Sequence, residues 1–169
     1  MIARMKKLQG KFASESQVEV THLVQPSNIN AIGTIFGGTV MSWIDLAAAA
    51  CANRHTRSVC VTASMDALDF LAPIHLGDIV IIRAQVNYTH NTSLEVGVRV
   101  ESENPLTGET RHTASAYLTF VALSKGKPTA VPPLTVKTAI EKQRYKEAEQ
   151  RREFRMSSLN RRKSEKAKK

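Results

Sequence analysis

The stretch from Gly38 to Ala52, which reads GTVMSWIDLAAAACA, is the part of the sequence that decides the fold. It carries one charged residue, Asp45, among five alanines, several large apolar residues and a few small polar ones. The run of alanines favours a helix, which we expect to cover 39–52. Because a helix that is apolar on every side has to be covered by other elements, we predict that it is buried in the centre of the domain.

Extended segments lie on both sides of this helix. Residues 16–25 alternate between apolar and polar side chains before it, as is typical of a strand. Four segments rich in β-branched residues follow it, at 58–69, 78–89, 92–103 and 110–123. Short turns at 90–91 and 104–108 favour antiparallel pairing. We therefore predict an α+β fold in which an antiparallel sheet of five or six strands wraps around one long central helix, with a C-terminal basic helix added.

Basic residues exceed acidic ones, but they are unevenly distributed along the chain. The 169 residues hold 24 Lys and Arg against 15 Asp and Glu, a formal net charge of +9. Residues 1–136 carry 11 basic and 10 acidic residues, a net charge of +1, whereas residues 137–169 carry 13 and 5, a net charge of +8. We expect an N-terminal segment at 1–15, the folded domain at 16–125, a proline-containing linker at 126–136 and a basic tail at 137–169.

The tail is predicted to be helical from Thr138 to about Met156, because Ala, Glu, Lys, Gln and Arg dominate it. Its thin apolar stripe predicts weak packing, and Glu147 and Arg151 are expected to form an ion pair within the helix. Disorder is expected from 157 to 169. Charge runs without interleaved aromatic residues are typical of a solvated surface, so nucleic acid is not an expected partner. The alternative is a patch that binds nucleic acid or an anionic membrane. The apolar stripe consists of Ile140, Tyr145, Ala148 and Phe154.

Several classes of protein are excluded by what the sequence lacks. It contains no run of about 18 apolar residues, so no membrane span is expected. The basic start is not followed by the apolar stretch of a signal peptide, so we expect a cytoplasmic protein in which Cys51 and Cys60 are reduced core residues. The five histidines show no metal-ligand spacing, and we therefore expect neither a metal nor a cofactor.

The entry of the helix and Asp45 form the candidate site. Gly37 and Gly38 let a ligand approach the backbone closely, and the first amides of a helix are unpaired donors at the positive end of its dipole. Asp45 lies seven residues after Gly38, on the same face, and could activate a water or act as a nucleophile. Together these groups suit acyl transfer, in which an oxyanion develops. The alternative is that Asp45 pairs with a buried Arg or Thr for structural reasons.

An ordered series of motifs in residues 16–123 resembles the hotdog-fold acyl-CoA thioester hydrolases, in particular the brain-type cytosolic group. The series begins with Asn30-x-x-Gly33-x-x-Phe36-Gly37-Gly38, Trp43-Ile44-Asp45 and Ala52-x-Arg54-His55. It continues with VTASMD at 61–66, Asp69-Phe70-Leu71-x-Pro73-Ile74-x-x-Gly77-Asp78 and Thr92-Ser93-Leu94-x-Val96. The resemblance implies the hotdog fold and hydrolysis of an acyl-CoA to CoA and a carboxylic acid, with CoA as substrate and product and no cofactor.

The resemblance also implies the roles of individual residues. Asp45 falls on the carboxylate that activates water, Asn30 on the asparagine that holds the water or the thioester, and the Gly38 amide on the oxyanion donor. In two-domain relatives the asparagine and the aspartate come from different hotdog halves, so two copies of this chain are expected to pair. Relatives commonly form trimers of dimers. Many of them carry His before the two glycines, where this chain has Phe36. This difference from the family is expected to affect which acyl chains the protein prefers.

Further residues are expected to bind the substrate. Because CoA is anionic, we expect basic residues near the groove, and Arg54 and Arg57 follow the helix. The remaining expected contacts lie at the helix entry, on the second strand and in the turn between the third and fourth strands. They are Phe36, Gly37, Thr62, Ala63, Ser64, Thr92 and Ser93.

Two other functions remain open at this point. A hotdog hydratase or dehydratase is one alternative, although no catalytic His lies at the helix entry. A non-enzymatic acyl-CoA-binding regulator that acts on DNA is the other. It would need a helix-turn-helix before the hotdog domain, and only about 15 residues precede the first strand.

Overall fold

The computed structural model describes residues 8–166, together with the side chains of all of these except Ala67, Arg162, Lys163 and Lys166. Part of the expected N-terminal segment, residues 1–7, therefore lies outside the described residues. A six-stranded antiparallel sheet curls around one helix, and its five long strands have the order β2-β4-β5-β6-β3. The chain order is β1 (Lys11–Phe12), β2 (Val18–Leu23), α1 (Gly37–Thr56), β3 (Val59–Phe70), β4 (Ile79–Thr89), β5 (Ser93–Glu103), β6 (Thr110–Ser124), β7 (Lys127–Pro128), β8 (Leu134–Thr135) and α2 (Ala139–Lys166).

The core lies between α1 and the concave face of the sheet. Every second residue of β4, β5 and β6 is buried on this face, as the period of a strand requires. Against these strands α1 presents mainly small side chains, so the helix and the sheet approach closely. The helical residues of the core are Val40, Ile44, Ala47, Ala48, Cys51 and Ala52. The predicted α+β architecture is confirmed, and the long strands begin and end within one or two residues of their expected bounds.

The expectation that α1 is covered on every side is wrong. Met41 and Leu46 are exposed, Leu46 to 65%, because the sheet covers only part of the helix surface. The edge strand β3 is exposed as well, and Val59 at its start is 68% exposed. The molecule therefore presents an apolar helix flank together with an unpaired strand edge, which is the surface that a second chain covers most readily.

The C-terminal end of α1 extends to Thr56, one turn beyond its expected end. Lys11 Nζ donates to the carbonyl of His55 at 2.7 Å, so a cation stabilises the negative end of the helix dipole. The His55 ring is buried between Ser16 Oγ, 3.3 Å from Nδ1, and the carbonyl of Pro132, 3.0 Å from Nε2. Burial lowers the pKa of His55. The N-terminal segment and the linker therefore meet at this helix end, and β1 pairs with β8 beside it.

The tail is ordered further than expected. The helix α2 continues to Lys166, so the predicted disorder from 157 is wrong as far as the structure describes the tail. The segment 157–166 contains neither Gly nor Pro, and a helix that is already nucleated extends through such a segment at little cost. Within the tail Ala148 is buried, and the Tyr145 ring packs at a tilt against Tyr88 of β4, with ring centroids 4.8 Å apart. No helix in the described part of the chain is long and apolar enough to cross a membrane.

An ion pair holds α2 to the outer face of the sheet. Arg151 donates to both carboxylate oxygens of Glu95 on β5, at 2.7 and 3.1 Å, and its guanidinium lies 3.7 Å from the ring centroid of Tyr117. Glu95 is only 2% exposed, so its carboxylate depends on this partner. The expected ion pair of Arg151 with Glu147 is not formed, because the buried carboxylate takes the guanidinium instead.

Replacing Arg151 by Met is expected to lower the free energy of unfolding by about 3–5 kcal/mol, because it leaves the Glu95 carboxylate buried without a cation, with only the Asn87 amide donating to it. Chemical denaturation measures the effect. Replacing both residues by Met should recover at least half of the loss. The exposed Arg161 of the same helix provides the control, and its replacement by Met should change stability by less than about 0.5 kcal/mol. A loss below about 1 kcal/mol for the Arg151 variant would mean that α2 is held by other contacts.

Candidate active site

The loop that leads into α1 is shaped by Asn30. Its Oδ1 accepts hydrogen bonds from the amides of Ile32 and Thr34, at 3.0 and 3.2 Å, and its Nδ2 donates to Thr34 Oγ1 at 2.9 Å. Gly33 supplies the positive φ, +82°, that this tight loop requires. Within the described chain the Asn30 amide is bonded only inside its own loop, so the structure does not join Asn30 to Asp45 of the same subunit.

The N-terminus of α1 offers unpaired amides. Phe36 is the N-cap residue, and its side chain has no polar atom that could accept from the first turn. Its carbonyl accepts from Thr39 N at 2.9 Å, whereas the amides of Gly37 and Gly38 donate to no acceptor in residues 8–166. The ring of Phe36 lies so close to Gly38 that a Cβ at this position would overlap it. The positive end of the helix thus carries free donors, which suit an anion or an oxyanion.

Asp45 is joined to the edge strand. Thr62 Oγ1 of β3 donates to Asp45 Oδ1 at 2.7 Å, while Oδ2 has no hydrogen-bond partner among the described residues. Asp45 is half-buried, so one oxygen is fixed and the other is available to a ligand or a water. Of the structural partners that the sequence left open, an Arg or a Thr, the structure shows the Thr. A single neutral hydrogen bond leaves the carboxylate able to accept a proton.

An apolar cleft opens beside the helix N-terminus. It has a volume of about 380 Å³, and the segment between β3 and β4 forms most of its wall. Phe70 and Leu71 are both exposed there, and the Phe70 ring lies in van der Waals reach of Gly37. The other lining residues are Thr34, Ile35, Ala72, Pro73 and Ile74. This segment was not among the expected site residues, although the adjacent large residues Phe70 and Leu71, followed closely by Pro73, are a signal for such a wall.

The remaining expected substrate contacts are spread over two regions. Ala63 lies at a β-bulge between Thr62 and Ser64, and Ser64 Oγ donates to Asp66 at 3.1 Å. In the sheet register Ser93 pairs with Val121, which also pairs with Val61 of β3. The turn that holds Thr92 and Ser93 therefore lies two strands, about 10 Å, from the start of β3, at the same end of the sheet.

The two arginines lie far from the helix N-terminus. Arg54 Nη1 donates to the carbonyl of Gln17 at 2.9 Å, and Arg57 has the left-handed conformation, φ 54°, that ends α1. Arg54 follows Gly38 by 16 residues, about 24 Å along the helix. The structure therefore does not bring these guanidinium groups to the free amides, and Arg54 fastens the start of β2 instead.

A larger cleft, about 470 Å³, lies on the outer face of the sheet beneath α2. Polar and apolar residues line it, and its three arginines already have partners. Arg83 pairs with Glu19 and Glu101, Arg99 pairs with Glu101, and Arg144 donates to Gln85. This cleft is on the opposite side of the sheet from α1 and Asp45. Within residues 8–166 no group of three His, Cys, Asp or Glu side chains could hold a metal ion.

Comparisons with known proteins agree with this geometry. The family model described as the thioesterase superfamily matches residues 32–109. The protein named "uncharacterized acyl-CoA thioester hydrolase YkhA" of Bacillus subtilis is 43% identical over 148 residues, which is 87% of this chain and 86% of that protein. A solved structure of an apo-hexameric acyl-CoA thioesterase is 41% identical, covers 90% of this chain and 98% of its own, and has a TM-score of 0.87.

An acyl-CoA hydrolase from Staphylococcus aureus, solved in complex with butyryl coenzyme A, coenzyme A and coenzyme A disulfide, is a further structural relative. It is 39% identical, with a TM-score of 0.84 over 91% of this chain and 94% of that one. Variants of the same enzyme, in which one asparagine, one aspartate or one threonine is replaced by alanine, also match this chain.

Replacing Gly38 by Ala is expected to move the exposed Phe36 ring away from the helix entry and to cost less than about 1 kcal/mol of stability, because the ring can turn into solvent. Gly97 is the matched control. A Cβ at Gly97 would overlap the amide of Asn87, which is buried and donates to Glu95, so the same substitution there should cost about 1–3 kcal/mol. Thermal unfolding measures both effects. Equal losses of stability for the two variants would contradict the prediction that the Phe36 ring can turn into solvent.

Proposed function

The chain belongs to the thioesterase superfamily, among its acyl-CoA thioester hydrolases, and we propose on this basis that it hydrolyses acyl-CoA to CoA and a free carboxylic acid. The observation that carries the proposal is the hydrogen bond from Thr62 to Asp45, beside a helix whose first amides are free. The S. aureus relative, solved with butyryl coenzyme A, supports the substrate class. The asparagine, aspartate and threonine replaced in its variants are the residue types of Asn30, Asp45 and Thr62.

In the proposed reaction the free carboxylate oxygen of Asp45 accepts a proton from water as the water oxygen attacks the thioester carbon. The carbonyl oxygen becomes an oxyanion and is stabilised by the Gly38 amide at the positive end of α1. When the C–S bond breaks, the CoA thiolate leaves and takes up the proton that Asp45 received. Thr62 acts as a positioning residue, since its hydrogen bond to Oδ1 turns Oδ2 toward the water.

The acyl group is proposed to occupy the apolar cleft beside the helix N-terminus. Phe70 and Leu71 line the cleft and are exposed in the single chain, so an acyl chain would cover apolar surface that is otherwise in water. Phe36 lies between Ile35 and Gly37, which both line the cleft, at a position where many relatives carry His. A bulky apolar ring there is suited to contact with the acyl group and adds no polar partner.

We propose that the active unit is a dimer in which β3 pairs with its own copy and that three such dimers form a hexamer. The exposed helix flank at Met41 and Leu46, together with the unpaired edge of β3, supports the dimer. The related apo-hexameric thioesterase supports the higher assembly. In the dimer the loop of Asn30 from one subunit completes the site at Asp45 of the other.

The reaction as proposed uses water as its only co-reactant and requires neither a metal nor a cofactor. We also propose that the protein is cytoplasmic, because Cys51 and Cys60 are both free thiols. Cys51 is not a nucleophile candidate, since burial raises its pKa to about 12 and keeps the thiol protonated.

Replacing Asp45 by Asn is expected to lower kcat/KM for an acyl-CoA by at least about 100-fold, because the amide cannot accept the proton of the attacking water. Release of free CoA thiol, followed with a thiol reagent, measures the effect. The side chain keeps its size and can still accept from Thr62, so the oligomer should remain intact by size-exclusion chromatography. Hydration of a 2-enoyl-CoA without CoA release in the unsubstituted protein would contradict the proposed reaction.

Mixing two inactive variants tests whether the site is shared between subunits. Co-expressed Asn30→Ala and Asp45→Asn chains should give mixed dimers with one intact and one doubly substituted site. Random pairing then restores about a quarter of the unsubstituted activity. Each variant expressed alone serves as the control. Mixed oligomers that form without regaining activity would show that Asn30 and Asp45 act within one subunit.

A further inference from the structure

The contacts of α2 lead across the strands of the sheet. The helix enters above β4, where the Tyr145 ring packs at a tilt against Tyr88, and it reaches the edge strand β3, where Arg155 pairs with Asp66. The rise from residue 145 to residue 155 is about 15 Å. Three spacings between neighbouring strands, from β4 to β3, amount to about 14 Å. The two lengths agree only if the helix axis runs across the strands.

The last eleven residues of α2, 156–166, therefore project past the edge of the sheet. They extend about 16 Å beyond β3, where their own subunit has no further strand in the described part of the chain. Apolar side chains continue onto this projecting end: Met156 is 42% exposed, and Leu159 is exposed to the same extent. In the described part of the chain no strand of the same subunit lies beneath Met156 and Leu159, so a partner surface is expected to cover them.

One flank of α2 faces the end of the sheet at which β3 begins. Arg152 lies on this flank, since its guanidinium is 3.4 Å from Nδ1 of His90, in the turn between β4 and β5. Met156 follows Arg152 by four residues and Glu149 by seven, so all three share this flank. Phe154, two residues before Met156, lies on the opposite flank and is 76% exposed.

Pairing of β3 with its own copy fixes the distance between the two α2 helices. If β3 pairs antiparallel along its whole length, the two-fold axis passes between Ser64 and Met65, at its centre. Asp66, beneath Arg155, then lies opposite position 63 of the copy. Each α2 crosses its own β3 above Asp66. Measured along the paired β3 strands, the two crossing points are three residues, about 10 Å, apart. Packed helices lie about 8–10 Å apart, so the two helices are in contact distance.

We propose that the projecting end of α2 packs antiparallel against α2 of a second copy of this chain, with Met156 at the seam beside the two-fold axis. The proposal rests on the edge-to-edge dimer of the proposed function. The copy's helix lies toward the start of β3, which is the side that the flank of Glu149, Arg152 and Met156 faces. The helix pair would hold the two β3 strands together, and with them the Thr62 residues that position Asp45.

The flank of α2 that would face the copy carries both signs of charge. Glu149 and Arg152 lie on it, whereas Glu147, seven residues before Phe154, lies on the opposite flank. Because one carboxylate accompanies the arginine, this flank suits an antiparallel copy of itself better than an unrelated anion.

Cysteine cross-linking tests the seam. Met156→Cys should run as a covalent dimer on a non-reducing denaturing gel after oxidation with copper(II) phenanthroline. Two Cu(II) ions take the two electrons lost by the thiols, and the two protons pass to the buffer. Phe154→Cys is the matched control, because it is even more exposed than Met156 and lies on the opposite flank of the same helix turn. It should stay monomeric on the gel, as should the unsubstituted protein with its buried Cys51 and half-buried Cys60. Native mass measurement of each variant records the assembly before oxidation.

The outcomes separate this inference from the proposed function. A native dimer or hexamer in which Met156→Cys fails to cross-link, or in which Phe154→Cys cross-links equally, overturns the helix pairing and leaves the edge dimer standing. A monomer by native mass overturns both the helix pairing and the edge dimer. A cross-linked Met156→Cys protein that releases no CoA from any acyl-CoA supports the helix pairing and counts against the hydrolase activity.

Discussion

The close fit of α1 into the concave face of the sheet is the constraint on which the rest of the molecule depends. Ala47, Ala48 and Ala52 bring the helix backbone close to the strands, and the large side chains of the core come mainly from the sheet. A curled sheet closes over a helix of this small diameter without voids. The fit sets the rotation of α1, and the rotation in turn directs Asp45 toward Thr62 and leaves Leu46 uncovered. The site and the exposed flank therefore have one cause.

The outer face of the sheet is organised by charge. Glu95 and Asp66 lie on this face, and α2 supplies an arginine to each of them. Arg83, Arg99 and Glu101 form a separate group of ion pairs on neighbouring strands. Some of the basic residues behind the tail's net charge of +8 therefore form ion pairs inside the subunit. These pairs hold α2 on the sheet, because the helix has too few apolar residues to pack by burial alone.

Much of the fold could be predicted from the sequence, because strands with a clear period of two and short turns leave few alternatives. The helix was predicted for the same reason, but its exposed flank was not. Apolar residues such as Met41 and Leu46 suit contact with their own sheet and contact with a second chain equally well. Residue type alone therefore does not show which of the two covers them. The partner of Arg151 was missed because Glu95 is distant in sequence and a local pair with Glu147 satisfied the helical spacing. For the candidate site, the sequence pointed to Asp45 and Gly38, and the family resemblance added Asn30. The cleft wall at Phe70 was not expected, because it forms only when the end of β3 folds next to the entry of α1.

The meeting of three segments at the end of α1 has a consequence for the order in which the chain folds. His55 is enclosed by Ser16 from before the helix and by Pro132 from more than seventy residues after it. During synthesis α1 leaves the ribosome ahead of β4, β5 and β6, which supply most of its cover, and ahead of the segment that closes over His55. Contacts this distant in sequence slow folding, since long loops have to close before any contact is gained. The alanine-rich helix that carries Asp45 is thus made well before most of its native surroundings, and the nascent chain is most open to misassociation in that interval.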